Sequence, residues 1–366
     1  MKKTLSLILA LSLLAALFGL ISANADDAGF QVKELGHDVS FHTELQEEAL
    51  AAGPEHFAEF NNNGQTECSI PKGIELEWTY SADPHPQEFT VALSMKEDMS
   101  DSVIFTVPAE TEDNAYHLTL QNLFLGTTYY YTIAAGDAVS EPYTFSTSAE
   151  GPRNLFIDGV TNARDLGGWK TNDGHVIRQG LLFRCGELNV SQTTDLCITE
   201  EGIRTMREDF GIRSEIDFRR TNKDENGGIT ESPLGSDVNY YHEPINIIID
   251  VAPDAGSVAE TFRIFADKSN YPIAFHCAIG TDRTGFISYL LLSLCDVRDE
   301  DLLTDYFFSN LGLINGHRDL KFMERVSQSN MGEFITESRS ETARLYLKSL
   351  GLTDEELDTI VSIMVE

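Results

Sequence analysis

Polar and hydrophobic positions follow two different rhythms along this chain, and the change falls near residue 150. Between about residues 67 and 148 the period is two. Ile74-Glu75-Leu76-Glu77-Trp78, Phe89-Thr90-Val91-Ala92-Leu93 and His117-Leu118-Thr119-Leu120 put apolar side chains at alternate positions. That is the pattern of a strand with one buried face. The stretch 123–133, with Tyr129-Tyr130-Tyr131, continues it, and Tyr143-Thr144-Phe145 supplies a last strand. After a Glu150-Gly151-Pro152 linker, short apolar runs alternate with longer amphipathic ones. Strands are expected at 214–218, near 238–241 and at 271–275, and helices at 302–310, 320–327 and 341–350. Gly351 closes the last of these, and Thr353 with Glu356 forms a capping box for a further helix. Alternating strand and helix imply a parallel-centred sheet with helices on its faces. The expected architecture is an α/β domain over 150–366 behind a small all-β sandwich over 65–149. Ahead of both, residues 26–64 form an acidic N-terminal extension. There Gly53-Pro54 breaks a helix around 43–52, and Asn61-Asn62-Asn63-Gly64 marks a loop.

The first 25 residues add an address. Met1-Lys2-Lys3, an apolar run over 4–21 rich in Leu and Ala, and Ala23-Asn24-Ala25 read as a secretory signal peptide over 1–25. The mature protein is therefore expected to be exported: secreted, cell-surface or periplasmic. No later stretch is long enough to span a bilayer. Charge narrows the partners, since 59 acidic against 26 basic residues leave a net −33. This excludes nucleic acid and anionic membrane surfaces as preferred partners. The excess reads as a solvated surface, so an anionic substrate must be drawn in by a local pocket. Of five cysteines (Cys68, Cys185, Cys197, Cys277 and Cys295), an odd one must stay free in an exported chain. Cys185 and Cys197 are near enough in sequence to pair, although connectivity stays open. No zinc-ligand spacing occurs, and neither a metal nor a cofactor is implied.

The chemistry concentrates in Phe275-His276-Cys277-Ala278-Ile279-Gly280-Thr281-Asp282-Arg283-Thr284-Gly285. The apolar run before it suits a buried parallel strand. The run 286–292 after it is apolar nearly all round, as a buried helix is. A strand, a tight loop and a helix N-terminus make an anion site from loop N–H groups and the helix dipole. A cysteine there is held as thiolate, and Arg283 offers a planar fork for two phosphate oxygens. Thiolate attack on phosphorus gives a phosphocysteine that water then hydrolyses. His276 is placed to orient the loop, and the Thr284 hydroxyl to assist departure of sulfur. A cysteine beside an apolar helix is ordinarily an inert core thiol, the reading kept for Cys295. A nucleotide loop is excluded because Gly280 to Gly285 lacks the Gly-Lys-Ser/Thr ending.

This stretch resembles the signature loop of the protein tyrosine phosphatase superfamily, His-Cys-x5-Arg-Ser/Thr. Asn162-Ala163-Arg164-Asp165-Leu166-Gly167-Gly168, Leu182-Phe183-Arg184, Ile216-Asp217-Phe218-Arg219 and Asp305-Tyr306-Phe307-Phe308-Ser309-Asn310 resemble a narrower group, the secreted bacterial tyrosine/lipid phosphatases of the mycobacterial type. The resemblance runs from about residue 154 to the end. It implies a cysteine-phosphatase fold, a phosphorylated protein or small phosphomonoester as substrate, and a phosphate loop of Ala278, Ile279, Gly280, Thr281 and Gly285. Leaving-group departure needs a general acid. In the narrower family the loop aspartate, here Asp282, is the implied acid. Asp217 is a second candidate, with pairing to Arg164 or Arg219 as its structural alternative. Asp250 and Asp254 lie about where the wider superfamily carries an acid on a mobile loop. Thr281 stands where many relatives carry Lys. The β-rich stretch resembles a fibronectin type III domain, with Trp78 as core tryptophan, a tyrosine corner near Tyr129, and Leu125 where Pro is frequent. Such a module serves as spacer or docking unit, and its partner is not legible. The expected function is a phosphotyrosine or phosphomonoester phosphatase. The alternatives are an inositol phosphate or phosphoinositide phosphatase, and a low-turnover module that binds phosphorylated ligands.

Overall fold

The change of rhythm at residue 150 is nearly, but not quite, a change of structural unit. The computed structural model describes residues 29–110, 114–189, 196–220, 223–224, 227–246 and 248–366; the signal peptide expected at 1–25 lies outside them. The described chain divides into two units, 29–40 with 73–149 and 41–72 with 150–366.

The first unit is β-rich. One sheet orders the strands Phe30–Lys33, Ile74–Tyr80 and Ala115–Leu120. The other runs Val103–Pro108, Glu88–Ser94, Thr128–Ala135 and Ala138–Val139, with Tyr143–Ser146 also paired to Thr128–Ala135. Every pairing between these strands is antiparallel. The period-two pattern is realised as written: Ile74, Leu76, Trp78 and Tyr80 are buried and Glu75 and Thr79 exposed. The Phe89 ring lies 4.4 Å from Tyr116 and 5.6 Å from Trp78, so aromatic contacts join the two sheets.

The second unit is mixed α/β. Its sheet has the order Asn239–His242, Ser214–Asp217, Ile273–His276, Leu182–Cys185, Arg164–Asp165, Arg153–Asn154. The first four strands are mutually parallel and the last two add antiparallel edges, which explains the apolar central run. Ile273 and Phe275 enter the larger core on one face and Ala274 the smaller core on the other. A strand buried on both faces carries no polar alternation. The helix Asp282–Leu294 follows the central strand, and all its residues from Thr284 to Leu294 are buried. Helices Asp299–Phe308, Leu320–Met331, Arg339–Ser349 and Asp354–Met364 complete the C-terminal half, the last with its Thr353–Glu356 capping box formed.

Residues 41–72 pack in this second unit. The helix Glu44–Ala52 is capped reciprocally by Thr43 and Gln46, and a short helix Pro54–Phe60 follows. Phe57 and Ala49 are fully buried in the larger core, with the Phe57 ring 6.1 Å from Phe308. Gln46 Nε2 donates to the carbonyls of Cys68 and Ile70, both at 2.8 Å. The helix Glu44–Ala52 buries only Gln46 and Ala49, so it carries no apolar stripe from which a core role is read.

Candidate functional site

The loop begins where the central strand ends. Cys277 is 2% exposed, and the chain turns through Ala278, Ile279, Gly280 and Thr281 into the helix at Asp282. Gly280 makes the turn at φ +67°, and a Cβ there would lie 2.5 Å from the Cys185 carbonyl oxygen. Any side chain would push the loop off its neighbouring strand.

Three loop carbonyls are drawn away from the concave side. Ala278 O accepts from the Glu187 N–H at 3.0 Å. Ile279 O accepts from Asn162 Nδ2 at 3.0 Å, and Gly280 O from Arg184 Nη2 at 2.8 Å. A trans peptide points its N–H opposite to the preceding carbonyl, so the N–H groups of Ile279, Gly280 and Thr281 face into the loop. None of them has a hydrogen-bond partner among the described residues. A row of unpaired donors ahead of a helix N-terminus is a receptacle for a tetrahedral oxyanion.

Asn162 and Arg184 are themselves fixed from below. Arg164 and Arg184 share the carboxylate of Asp305, at 2.9 Å and 2.5 Å, and Arg164 Nη1 holds Asn162 Oδ1 at 2.6 Å. All four side chains are buried. Asn162 adopts φ +54°, a left-handed conformation that Asn tolerates. The motifs read only as a family likeness are thus the scaffold of the loop.

Within the loop, burial pushes the Cys277 thiol up, but the Arg283 charge and the hydroxyl and N–H of Thr284 outweigh it and bring the pKa below that of a free thiol. Thr284 Oγ1 is buried without a hydrogen-bond partner among the described residues, beside the Cys277 thiol whose pKa it helps to lower. Arg283 donates to Phe218 O at 3.2 Å and forms no ion pair among the described residues, so most of its fork is uncommitted.

Behind the cysteine, His276 is fully buried, with Nδ1 3.1 Å from Cys277 O and Nε2 2.9 Å from Glu215 Oε1. Both ring nitrogens face acceptors, which favours the doubly protonated ring. Burial lowers the pKa of His276, and the Asp217 charge with the Glu215 contact raises it overall. Glu215 was not among the residues expected at the site; it sits one position before the recognised Ile216-Asp217-Phe218-Arg219 run.

The candidate acids separate clearly. Asp217 accepts from Arg219 Nε at 2.9 Å, Arg219 Nη2 at 2.8 Å and Tyr240 Oη at 2.8 Å. Burial raises its pKa, yet His276 and Arg219 hold it at about 2. A carboxyl titrating there has no proton to give near neutrality, and its partner is Arg219, while Arg164 belongs to Asp305. Asp254 accepts from Asn246 and Asp250 from the Ala252 N–H, and neither bonds to the loop. Asp282 lies at the loop, and its two oxygens accept from Arg318 Nε at 2.6 Å and Nη2 at 2.8 Å. Among the described residues, no group of three or more His, Cys, Asp or Glu is arranged to hold a metal ion.

An α/β unit whose central strand delivers a thiol of lowered pKa and an arginine into one anion-receiving loop defines the class. Residues 155–366 match the family described as "Tyrosine phosphatase family", and the chain belongs to that family. It is 27% identical over 191 residues to a "Putative tyrosine-protein phosphatase" of Cupriavidus necator, covering 45% of this chain. The match spans 66% of that relative's length. Among solved structures, the core catalytic domain of the PP-IP phosphatase SIW14 from S. cerevisiae is 13% identical, with a TM-score of 0.24 over 42% of this chain and 91% of that one. TpbA of P. aeruginosa is 14% identical, with a TM-score of 0.24 over 52% and 89%.

Proposed function

We propose that this protein is an exported, cysteine-dependent phosphatase that hydrolyses phosphotyrosine or related phosphomonoesters through a phosphocysteine. The observation that carries the reading is the loop itself. Its carbonyls are tied back, its N–H groups are unpaired, its thiol pKa is lowered, and an arginine fork stands open beside it. In the first step the Cys277 thiolate attacks phosphorus, the S–P bond forms, and the P–O bond to the leaving group breaks. The leaving oxygen takes a proton from Asp282. The loop N–H groups and Arg283 hold the three equatorial oxygens, whose charge grows in the transition state. In the second step water attacks phosphorus and gives its proton to the Asp282 carboxylate, the S–P bond breaks, and Thr284 donates a hydrogen bond to the departing sulfur. His276, a buried cation behind the Cys277 carbonyl, positions the loop.

The mycobacterial-type likeness and the signal-peptide-like pattern of residues 1–25 support export to a secreted, cell-surface or periplasmic location. No helix among the described residues is long and apolar enough to cross a membrane. The first unit is read as a fibronectin type III-like sandwich that docks or spaces the catalytic unit. Trp78 is buried, and Tyr129 Oη accepts from the Phe124 N–H at 2.8 Å, the bond a tyrosine corner makes.

The test uses the full mature chain with a chelator present and a panel of phosphotyrosine peptide, phosphoserine peptide and inositol phosphates. Cys277→Ser should lose turnover at least 10³-fold on the best of these while still binding phosphate, because a hydroxyl is the weaker nucleophile and the loop donors remain. Hydrolysis by Cys277→Ser within tenfold of wild type would remove the covalent mechanism.

A further inference from the structure

The ion pair between Asp282 and Arg318 differs from every other ion pair around the loop. Those of Arg164, Arg184 and Arg219 have side chains 3% exposed or less. Asp282 is 32% exposed and Arg318 18%. The buried pairs build the scaffold. This one is two-pronged, close to solvent, and set beside the arginine that receives phosphate.

Arg318 reaches its position from outside the motif. It lies 36 residues beyond Asp282, just before the helix Leu320–Met331. Asn310 fixes its backbone by accepting from the Arg318 N–H at 2.8 Å and donating to its carbonyl at 2.9 Å. Its guanidinium lies 5.0 Å from the Phe322 ring centroid. The backbone is anchored while the head group is held chiefly by a carboxylate that another anion can replace. Thr281 adds no charge here: it is fully buried, with its hydroxyl near Ile279 O at 3.4 Å.

We propose that Arg318 is a specificity-determining residue, the receptor for a second anionic group carried next to the scissile phosphoryl, and that Asp282 occupies this receptor until such a substrate displaces it. The inference rests on the phosphatase reading and names its substrate class: phosphomonoesters bearing a neighbouring phosphate. When the second phosphate takes the fork of Arg318, Asp282 loses its partner and lies beside a dianion. Like charge favours the protonated carboxyl. Asp282 takes a proton from solvent and delivers it to the leaving oxygen as the P–O bond breaks. A substrate without the second anion finds the acid still paired, and only good leaving groups depart readily.

Phenyl phosphate and 1,3-phenylene bisphosphate test this, because both leave as aryl oxides and differ by one phosphate. Wild type should prefer the bisphosphate at least tenfold in kcat/KM. Arg318→Ala should abolish that preference by raising KM for the bisphosphate, while kcat on phenyl phosphate rises two- to fivefold because Asp282 is no longer paired. Arg318→Lys, which keeps the charge without the fork, should retain part of the preference. Asp282→Asn should remove the gain in kcat that Arg318→Ala brings to phenyl phosphate. An equal loss on both substrates in Arg318→Ala would mean a structural role, and the absence of a bisphosphate preference in wild type would remove the receptor. Either result overturns the inference while leaving the phosphatase reading intact. That reading fails separately, if turnover of phenyl phosphate survives in Cys277→Ser.

Discussion

Burial acts alike on Cys277 and Cys295, and their thiols titrate in opposite directions. Cys295, among apolar neighbours at the end of its helix, is pushed up to about 12. Cys277 has Arg283 and Thr284 beside it and falls below a free thiol. The charge and the hydrogen bonds decide, not the burial. Asp217 shows the same rule for a carboxylate, and its pKa of about 2 is a statement about stability. A depressed carboxyl stabilises the fold above its unfolded value near 3.8 and loses that contribution as pH falls towards 2. A shift of nearly two units corresponds to about 2 kcal/mol. Asp217→Asn should therefore lower stability by about 2 kcal/mol at pH 6, about half as much at pH 3, and almost nothing near pH 2. Urea midpoints at the three pH values read this directly. If Asp217 serves the fold through Arg219, the same variant should lose no more activity on phenyl than on 4-nitrophenyl phosphate. A loss confined to the poorer leaving group would make Asp217 the acid.

At the scale of elements, the loop is a contiguous strand, turn and helix clamped by residues from two other segments. The contiguous part was legible because every signal lies within the one run 271–292: the apolar strand, Gly280 at its turn, and the apolar helix. The clamps were legible only as a likeness. Asn162, Arg184 and Asp305 sit in recognisable runs, yet nothing in their spacing says that two of them hold carbonyls of residues near 280. Arg318 was not legible at all, since a lone arginine in an ordinary surface segment meets Asp282 only after the helices pack. The clamp can be tested by exchanging one atom. Asn162→Asp keeps size and shape but replaces the donor to Ile279 O with an acceptor. The freed carbonyl can turn inward and cost the site one N–H. We expect kcat/KM on aryl phosphates to fall about 10- to 100-fold, since small displacements in a positioned site carry losses of that order. The inhibition constant for inorganic phosphate should rise with it, while the thermal midpoint moves by only a few degrees because Arg164 gains a carboxylate partner. An unchanged phosphate constant would show that the loop holds its shape without this bond.

At the scale of the molecule, the chain enters the catalytic unit twice, first at 41–72 and again from 150 onward. The expected boundary at 64/65 falls inside the first of these passages, because short capped helices without an apolar stripe give no signal of where they pack. Phe57 is fully buried in the catalytic core, and a buried Phe contributes roughly 2–3 kcal/mol. Gln46 joins the passage to the sheet edge through Asn154 Nδ2, 3.1 Å from its Oε1. The two ends to be rejoined are close. Lys72 N–H donates to Phe41 O at 2.9 Å, and His42 Nε2 lies 2.9 Å from Pro152 O. A linker of about eight Gly and Ser residues, reaching about 16 Å, is ample to connect residue 72 to residue 150. A chain of 41–72, linker and 150–366 should keep kcat/KM on phenyl phosphate within about threefold of the chain 26–366, with a cooperative thermal transition. The fragment 150–366 alone covers the whole family match but leaves the Phe57 site empty and Asn154 without Gln46. It should unfold at least 10 °C lower or fail to accumulate, since several kcal/mol of core contacts are absent and each shifts the midpoint by about 2–4 °C in a chain of this size. If that fragment matches the linked chain in both midpoint and activity, the segment 41–72 is dispensable and the catalytic unit begins at residue 150.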